Sequence, residues 1–175
     1  MKKLRNDPVV HALLNDNTAK MRELVQNGED IGSAFFRAAF HDDIGNIEIA
    51  EMLLREFKAN PNFIHPLYND IPIMHVKSIA MLNLLLYYEA EINSQIIKGE
   101  TALIQMITAW PRPEIVFYTM IKAGADINIK DKEGKSALDY AIEKRSYVNT
   151  STDEGKYLEI LYKDIITILI KAGAK

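Results

Sequence analysis

Histidines, carboxylates and lysines are the side chains in this sequence that could bind a metal or move a proton. The histidines are His11, His41, His65 and His75. A zinc site on one helix needs two of them three or four residues apart, with further ligands to complete the shell. No two have that spacing, and there is no cysteine to fill a set. They read as packing or surface histidines. His41, Asp42 and Asp43 place two carboxylates beside an imidazole, but they fall between two helical stretches, where a solvated loop accounts for them. Lys130, Lys132 and Lys135 form a small basic cluster that Asp131 and Glu133 interleave and largely neutralise. No glycine-rich phosphate loop, Gly-x-Ser-x-Gly or His-Glu-x-x-His occurs. The glycines stand where helices end. The expectation is a protein that is not an enzyme and takes no metal and no cofactor.

The elements that would position any site come from the rest of the chain. Its 175 residues suffice for one or two domains with a sizeable core. A content of 48% hydrophobic and 26% charged residues is that of a globular protein. The net charge of -3 offers no bulk attraction to nucleic acid or an anionic membrane. Without cysteine, a disulfide-stapled fold is excluded. No apolar run reaches membrane-spanning length, and "MKKLRNDPVVHALL" lacks the apolar core and small-residue cleavage site of a signal peptide. The expected location is cytoplasmic, or inside a host cell reached without a signal peptide.

The chain repeats itself. "AGADIN" at 123–128 has relatives in "NGEDI" ending at Ile31, "KANPN" at 58–62, "EAEIN" at 89–93 and "KAGAK" at the last residues. Each follows an apolar helical stretch: "MRELVQ", "IAEMLLREF", "MLNLLLYY", "VFYTMIK" and "IITILIK". The turn positions Gly28, Lys58, Glu89, Gly124 and Gly173 are 30, 31, 35 and 49 residues apart. Short helices recur between them in "SAFFRAAF", "IPIMHVK", "TALIQMI" and "SALDYAI". Ser33, Thr101 and Ser136 have the hydroxyls to cap those helices, and Pro72 stands where a first turn tolerates proline. Ala38, Ala39 and Ala141 let helices approach closely. Gly28, Gly124 and Gly173 permit the left-handed residue that ends a helix, and Gly99 and Gly134 permit tight turns. Each unit leaves an apolar face that only a neighbouring unit can cover.

This pattern resembles the ankyrin repeat, a turn plus two antiparallel helices with a period of about 33 residues. The resemblance runs from about Asn6 to Lys175, and its best copy is Gly124 to Ala141. It implies an all-α solenoid of about five helix-turn-helix units carrying short β-hairpin fingers. The chain would be a single domain, 1–175, with units near 6–31, 32–62, 66–93, 96–128 and 131–175.

Several positions depart from the pattern. Gly28 to Ser33 is too short for a finger. Lys58 and Glu89 replace the turn glycine, and Ile96 replaces the hairpin aspartate, so that turn loses a side-chain hydrogen bond. An insertion of roughly sixteen residues, judged against the repeat period, lies near 145–161. Its first half, rich in turn formers, reads as a mobile solvated loop whose removal over 146–152 costs little. Its second half continues the spacing of Leu158, Leu161, Ile165 and Ile168, so Tyr157, Leu158 and Leu161 are expected to extend the last helix and shield its apolar face.

The function implied by the resemblance is binding of another protein through a concave face and the finger tips, by a chain that is a monomer on its own. Variable contact positions then map onto Phe40, His41, Leu67, Tyr68, Asp70, Ser78, Ile97, Lys98, Glu100, Thr108, Lys132, Lys135, Glu143 and Lys144. Trp110, the one tryptophan, is either an interface anchor or a cover over the ends of its own helices. Leu67 and Tyr68 sit at a tip that faces water, with no evident core role. The biological readings are a bacterial or viral effector directed at a host protein, an inhibitor or immunity-type protein blocking a cognate enzyme or toxin, and a scaffold subunit of an enzyme complex.

Overall fold

One backbone conformation recurs at the end of the second helix of each pair. The computed structural model describes residues 8–15, 17–40, 46–108 and 114–175. Its α-helices are α1 (Pro8–Leu14), α2 (Thr18–Gln26), α3 (Ile31–Phe40), α4 (Asn46–Glu56), α5 (Ile79–Tyr87), α6 (Ala102–Thr108), α7 (Glu114–Lys122), α8 (Ala137–Ser146) and α9 (Asp153–Lys171). A 3-10 turn, Pro72–His75, stands ahead of α5. After α2, α7 and α9 come Gly28, Gly124 and Gly173, with φ of 100°, 98° and 97°. After α4 and α5 come Lys58 and Glu89, held in the same left-handed region at 55° and 65°. This residue turns the chain so that the next amide reaches back into the helix. Glu29 donates to the Leu24 carbonyl at 3.0 Å, Ala90 to Leu85 at 2.9 Å, Ala125 to Met120 at 3.1 Å and Ala174 to Leu169 at 3.0 Å. Ala59 reaches one residue further, to Leu53 at 3.0 Å.

The chain divides into two compact units, Met1–Glu91 and Ile92–Lys175. In the first, α1, α3 and the 3-10 turn pack successively as one layer, while α2, α4 and α5 form a second. Contacts of α1 with α2 and of α3 with α4 join the layers. Met21, Phe35, Phe36, Ile49, Leu53, Ile73, Met74, Met81, Leu82 and Leu85 are fully buried between them, each contributing about 1.5–3 kcal/mol over an exposed position. Ala38 and Ala39, with no exposed surface, allow the close approach. The first helix of the third pair shrinks to one 3-10 turn, because Ser78 already caps α5 by accepting the Met81 amide at 3.1 Å.

The second unit repeats the plan. Helix α6 packs on α8 in one layer and α7 on α9 in the other, with α6–α7 and α8–α9 contacts between layers. Leu103, Ile104, Ile107, Val116, Phe117, Met120, Leu161, Ile165 and Leu169 fill it. Thr101 and Ser136 cap α6 and α8 as expected. The Thr101 hydroxyl accepts from Ile104 at 3.3 Å, and Ser136 forms a reciprocal box with Asp139.

The fold is thus helical. Among the described residues no strand forms, and one isolated antiparallel bridge joins His65 to Asp70. The fingers are tight turns, too short for a ladder. Two local expectations need correction. Asp30, not Ser33, heads α3, because its carboxylate accepts the Ser33 amide at 2.7 Å. Tyr157 does lie in α9, but it is exposed and shields nothing. It stands four residues before Leu161, about 40° round the helix, so it lies in line with the buried stripe of Leu161, Ile165 and Leu169 but at an end of it that stays exposed, and Leu158 borders the same stripe.

The segment ahead of α9 is also more than solvated loop. The Asn149 side chain accepts from the Ser151 amide at 3.0 Å and from its hydroxyl at 2.6 Å. Thr152 caps α9 by accepting the Gly155 amide at 3.0 Å. Gly155 is buried against the Asn149 backbone, where any side chain would overlap the carbonyl. Deleting 146–152 therefore removes the cap and its packing, and should cost more than the sequence suggests.

Two predictions follow from the turns. Lys58→Gly and Glu89→Gly should each raise stability by about 0.5–1 kcal/mol, since the left-handed region penalises a side chain more than glycine's extra unfolded freedom offsets. Urea denaturation midpoints would show it. In thermal melts, Gly155→Ala should cost about 1–3 kcal/mol through overpacking, while Lys156→Ala at the exposed neighbouring position should leave the transition almost unmoved.

Candidate functional site

Three finger turns carry about half of the residues that sequence reasoning selected, Leu67, Tyr68, Asp70, Ile97, Lys98, Glu100, Lys132 and Lys135. In the second unit, the 131–135 turn is built on one carboxylate. The Asp131 amide donates to the Lys135 carbonyl at 3.0 Å, and Gly134 returns to Asp131 at 3.0 Å with φ of 78°. Asp131 Oδ1 accepts the Glu133 and Lys135 amides at 2.9 and 3.0 Å, and Oδ2 accepts the Tyr140 hydroxyl at 2.6 Å. Burial alone would raise the Asp131 pKa, but these hydrogen bonds outweigh it and hold the carboxyl below its ordinary range. The same bond is the main cause pushing the Tyr140 hydroxyl pKa well up.

The 96–100 turn keeps that backbone geometry without the aspartate. Ile96 donates to Glu100 at 3.2 Å, and Gly99 donates to Ile96 at 2.7 Å with the same φ of 78°. Gln95 supplies the missing polar brace from outside the turn. Its Nε2 donates to the Gly99 carbonyl at 2.5 Å and the Lys130 carbonyl at 3.1 Å. The two fingers are also tied by the Lys132 amide, which donates to the Lys98 carbonyl at 3.0 Å. Gly99 lies so close to Lys132 that a side chain would collide with its backbone.

Of the second unit's candidate residues, Ile97 (62% exposed), Lys98 and Lys132 project outward at the tips. Glu100 accepts from Gln105 at 3.4 Å. Lys135 bridges to Glu143 at 2.7 Å and lies over the Tyr140 ring at 5.2 Å, so these two candidates hold each other. Thr108 is half-buried and returns its hydroxyl to the Ile104 carbonyl at 3.2 Å. Lys144 borders an open groove of about 270 Å³ with Tyr147, Leu158 and Tyr162. Trp110 and, in the first unit, His41 lie outside the described residues.

In the first unit the turn from His65 to Asp70 is one residue longer. The His65 amide donates to the Asp70 carbonyl at 2.9 Å, the Asn69 amide donates to the His65 carbonyl at 2.8 Å, and Asn69 takes the left-handed place at 50°. The turn sits in an aromatic nest. The Phe36 ring is stacked with Tyr68 at 5.9 Å and lies 4.7 Å from His65 and 5.3 Å from His75. Phe40 lies 4.7 Å from His75, and Lys77 approaches its face at 5.8 Å. Phe63 seats on Gly32, where any side chain would overlap the ring. Leu67 is 82% exposed with no core role. Tyr68 is exposed too, but its ring packs on Phe36 and His65, so it braces the finger as well as facing outward.

Two first-unit candidates have internal roles. Asp70 is only 8% exposed; its carboxylate accepts from Ile71 at 2.9 Å and pairs with His75 Nε2 at 2.7 Å. Ser78 is the cap of α5. Neither reads as a contact surface.

Sequence reasoning missed the residues that clamp the left-handed turns at the helix ends. Asn62 Oδ1 accepts the Glu91 amide at 2.8 Å while its Nδ2 donates to the Glu89 carbonyl at 3.3 Å. Asn93 does the same to Asp126 at 2.8 Å and Gly124 at 3.5 Å. Asn128 accepts the Lys175 amide at 3.2 Å. Each clamps the left-handed turn of the next pair. The signal was in the chain: each asparagine stands four residues after Lys58, Glu89 or Gly124, whereas Gly32 stands four after Gly28.

Among the described residues no group of three or more His, Asp or Glu side chains could hold a metal ion, and no helix is long and apolar enough to cross a membrane.

No protein-family model matches the chain. It is 31% identical over 119 residues to a protein of fowlpox virus (strain NVSL) named as an ankyrin repeat protein, covering 65% of this chain and 20% of that one. It is 27% identical over 149 residues to ankyrin repeat and SOCS box protein 6 of Pongo abelii, covering 83% of this chain and 32% of the relative. A Plasmodium falciparum (isolate 3D7) protein named as an E3 ubiquitin-protein ligase is 28% identical over 146 residues, covering 75% of this chain and 1% of that protein. The chain thus spans a third or less of these relatives' lengths. The first two bear out the resemblance to ankyrin-repeat proteins.

Asp131→Ala should cost about 1–3 kcal/mol, because two turn amides and the Tyr140 hydroxyl lose their acceptor. Chemical denaturation would measure it, and the tyrosine's spectroscopic titration should move back toward its ordinary pKa of 10.0.

Proposed function

We propose that this chain, similar to ankyrin-repeat proteins, is a protein-binding module of about five repeat units that acts by binding and not by catalysis. The observation that supports it most directly is the tip geometry. Leu67 and Ile97 are large aliphatic side chains held out into solvent, 82% and 62% exposed, on turns that backbone and buried hydrogen bonds hold rigidly. Rigid presentation lowers the ordering cost of association, and an aliphatic side chain in water gains only when a partner covers it. The net charge of -3 argues for a protein partner over nucleic acid.

The host-directed reading is supported by the fowlpox likeness, since a virus has host proteins to bind. The ligase named for the Plasmodium protein belongs to a chain of which this one matches 1%, so no ligase activity is carried over. The chain is proposed to act as a monomer within a cell.

Affinity capture with mass spectrometry, comparing wild type with Leu67→Asp and Ile97→Asp, tests the reading. Each substitution should change stability by less than about 0.5 kcal/mol, as for exposed positions, and should deplete the captured partner. A partner retained in full by both variants would place the contact surface elsewhere. The two tips are tested separately because they belong to separate units. Tyr68→Ala is unsuited to this purpose, since it also removes the ring that packs on Phe36 and His65.

A further inference from the structure

The exposed tip at Leu67 is anchored by a buried imidazole. His65 is 5% exposed, enclosed by Phe36 at 4.7 Å, Tyr68 at 4.7 Å and the edge of Phe63 at 6.3 Å. Its Nδ1 accepts the Leu67 amide proton at 3.3 Å. An imidazole nitrogen that accepts a hydrogen bond carries no proton, so this geometry requires His65 to be neutral, with its proton on Nε2.

We propose that the finger from His65 to Asp70 is a pH-responsive element, in which protonation of His65 at Nδ1 removes the acceptor that holds the Leu67 amide and releases Leu67 and Tyr68 from their presented positions. The proposal rests on the reading of Leu67 as a contact residue only for its consequence; the release itself is a property of the free chain.

The balance of forces favours release over accommodation. A proton arriving at Nδ1 turns an acceptor into a donor facing another donor, the Leu67 amide. The new charge would sit among three aromatic rings with little access to water. The charged groups around it divide. Asp30, at the head of α3, favours the cation, while Arg37 on the same helix opposes it. Asp70, at the far end of the finger, is already paired with His75 from the 3-10 turn at 2.7 Å and accepts the Ile71 amide. Tyr68, on the finger itself, presents its ring. Burial dominates, and the His65 pKa is held below its ordinary 6.5, with Arg37 adding to the effect.

The sign follows from linkage. When the finger opens, His65 meets water and regains its ordinary affinity for a proton. The open form therefore binds more protons than the closed form between pH 6.5 and the lower folded value. Within that window the opening equilibrium should grow by about tenfold per unit of acidification, and then level off. Above pH 6.5 it should be flat.

Amide hydrogen exchange on the free protein tests this directly, with rates converted to protection factors to remove the intrinsic pH dependence. The Leu67 and Asn69 amides should lose protection as pH falls from 7.5 to 5, while core amides such as Leu53 and Leu85 keep theirs. The His65 ring signals should titrate below 6.5. In His65→Gln, whose side chain can accept a hydrogen bond but does not titrate, the Leu67 protection should no longer depend on pH. A His65 titration at or above 6.5, or Leu67 protection unchanged across the His65 midpoint, would overturn the proposal. Because no partner enters the measurement, such a failure leaves the binding reading intact, and a failed capture experiment leaves this one intact.

Discussion

A left-handed residue at the end of the second helix of each pair is the constraint on which the rest depends. It folds the chain back so that the following amide closes the helix, and it exposes a carbonyl and an amide at fixed positions. Asn62, Asn93 and Asn128 read that geometry from one pair away, each accepting an amide with its Oδ1. A single asparagine thus converts a local dihedral angle into the spacing between neighbouring pairs. Within each unit the burial of apolar side chains, Leu53 and Leu85 in the first and Leu103 in the second, acts alongside these polar clamps. Hydrophobic attraction is non-directional, so a stack held by it alone would have no reason to prefer one turn geometry.

The aspartate turn and the Ile96 turn show how much of a finger is backbone. Both have the same hydrogen bonds and the same left-handed glycine, yet one is satisfied from within by Asp131 and the other from beside it by Gln95. The sequence signature of the first is local and easy to find. That of the second is a glutamine outside the motif, whose role depends on the Lys130 carbonyl 35 residues on being within reach. The consequence is that the turn at Ile96 keeps its hydrogen bonds without an aspartate of its own.

That contrast explains what was legible beforehand. Helix positions, the caps at Thr101 and Ser136, and the glycine turns could all be read, because each depends on residues within one or two helical turns of one another. Lys58 and Glu89 were recognisable as occupants of the glycine place, though nothing in their own chemistry announces a positive φ. The Asp30 cap was missed because Ser33 is the commoner type three residues later, and the two are partners in one hydrogen bond. Asp70 was misread as a contact residue for a different reason: its role depends on His75, which meets it only once the 3-10 turn has brought the imidazole back over the finger. Exposure of Leu67 and Ile97 was readable from their place at a tip. The packing of Tyr68 on Phe36 was not, since it joins residues 32 positions apart.

The tie between the Lys132 amide and the Lys98 carbonyl uses no side-chain atom. Identity at those positions is therefore invisible to the architecture, and so is the identity of Ile97 beside them. Such a surface can drift through mutation or be randomised in a library at almost no penalty in folding. New specificities can arise there while the asparagines, caps and left-handed turns stay untouched. The positions proposed for recognition are thus separate from those that set the shape of the turns.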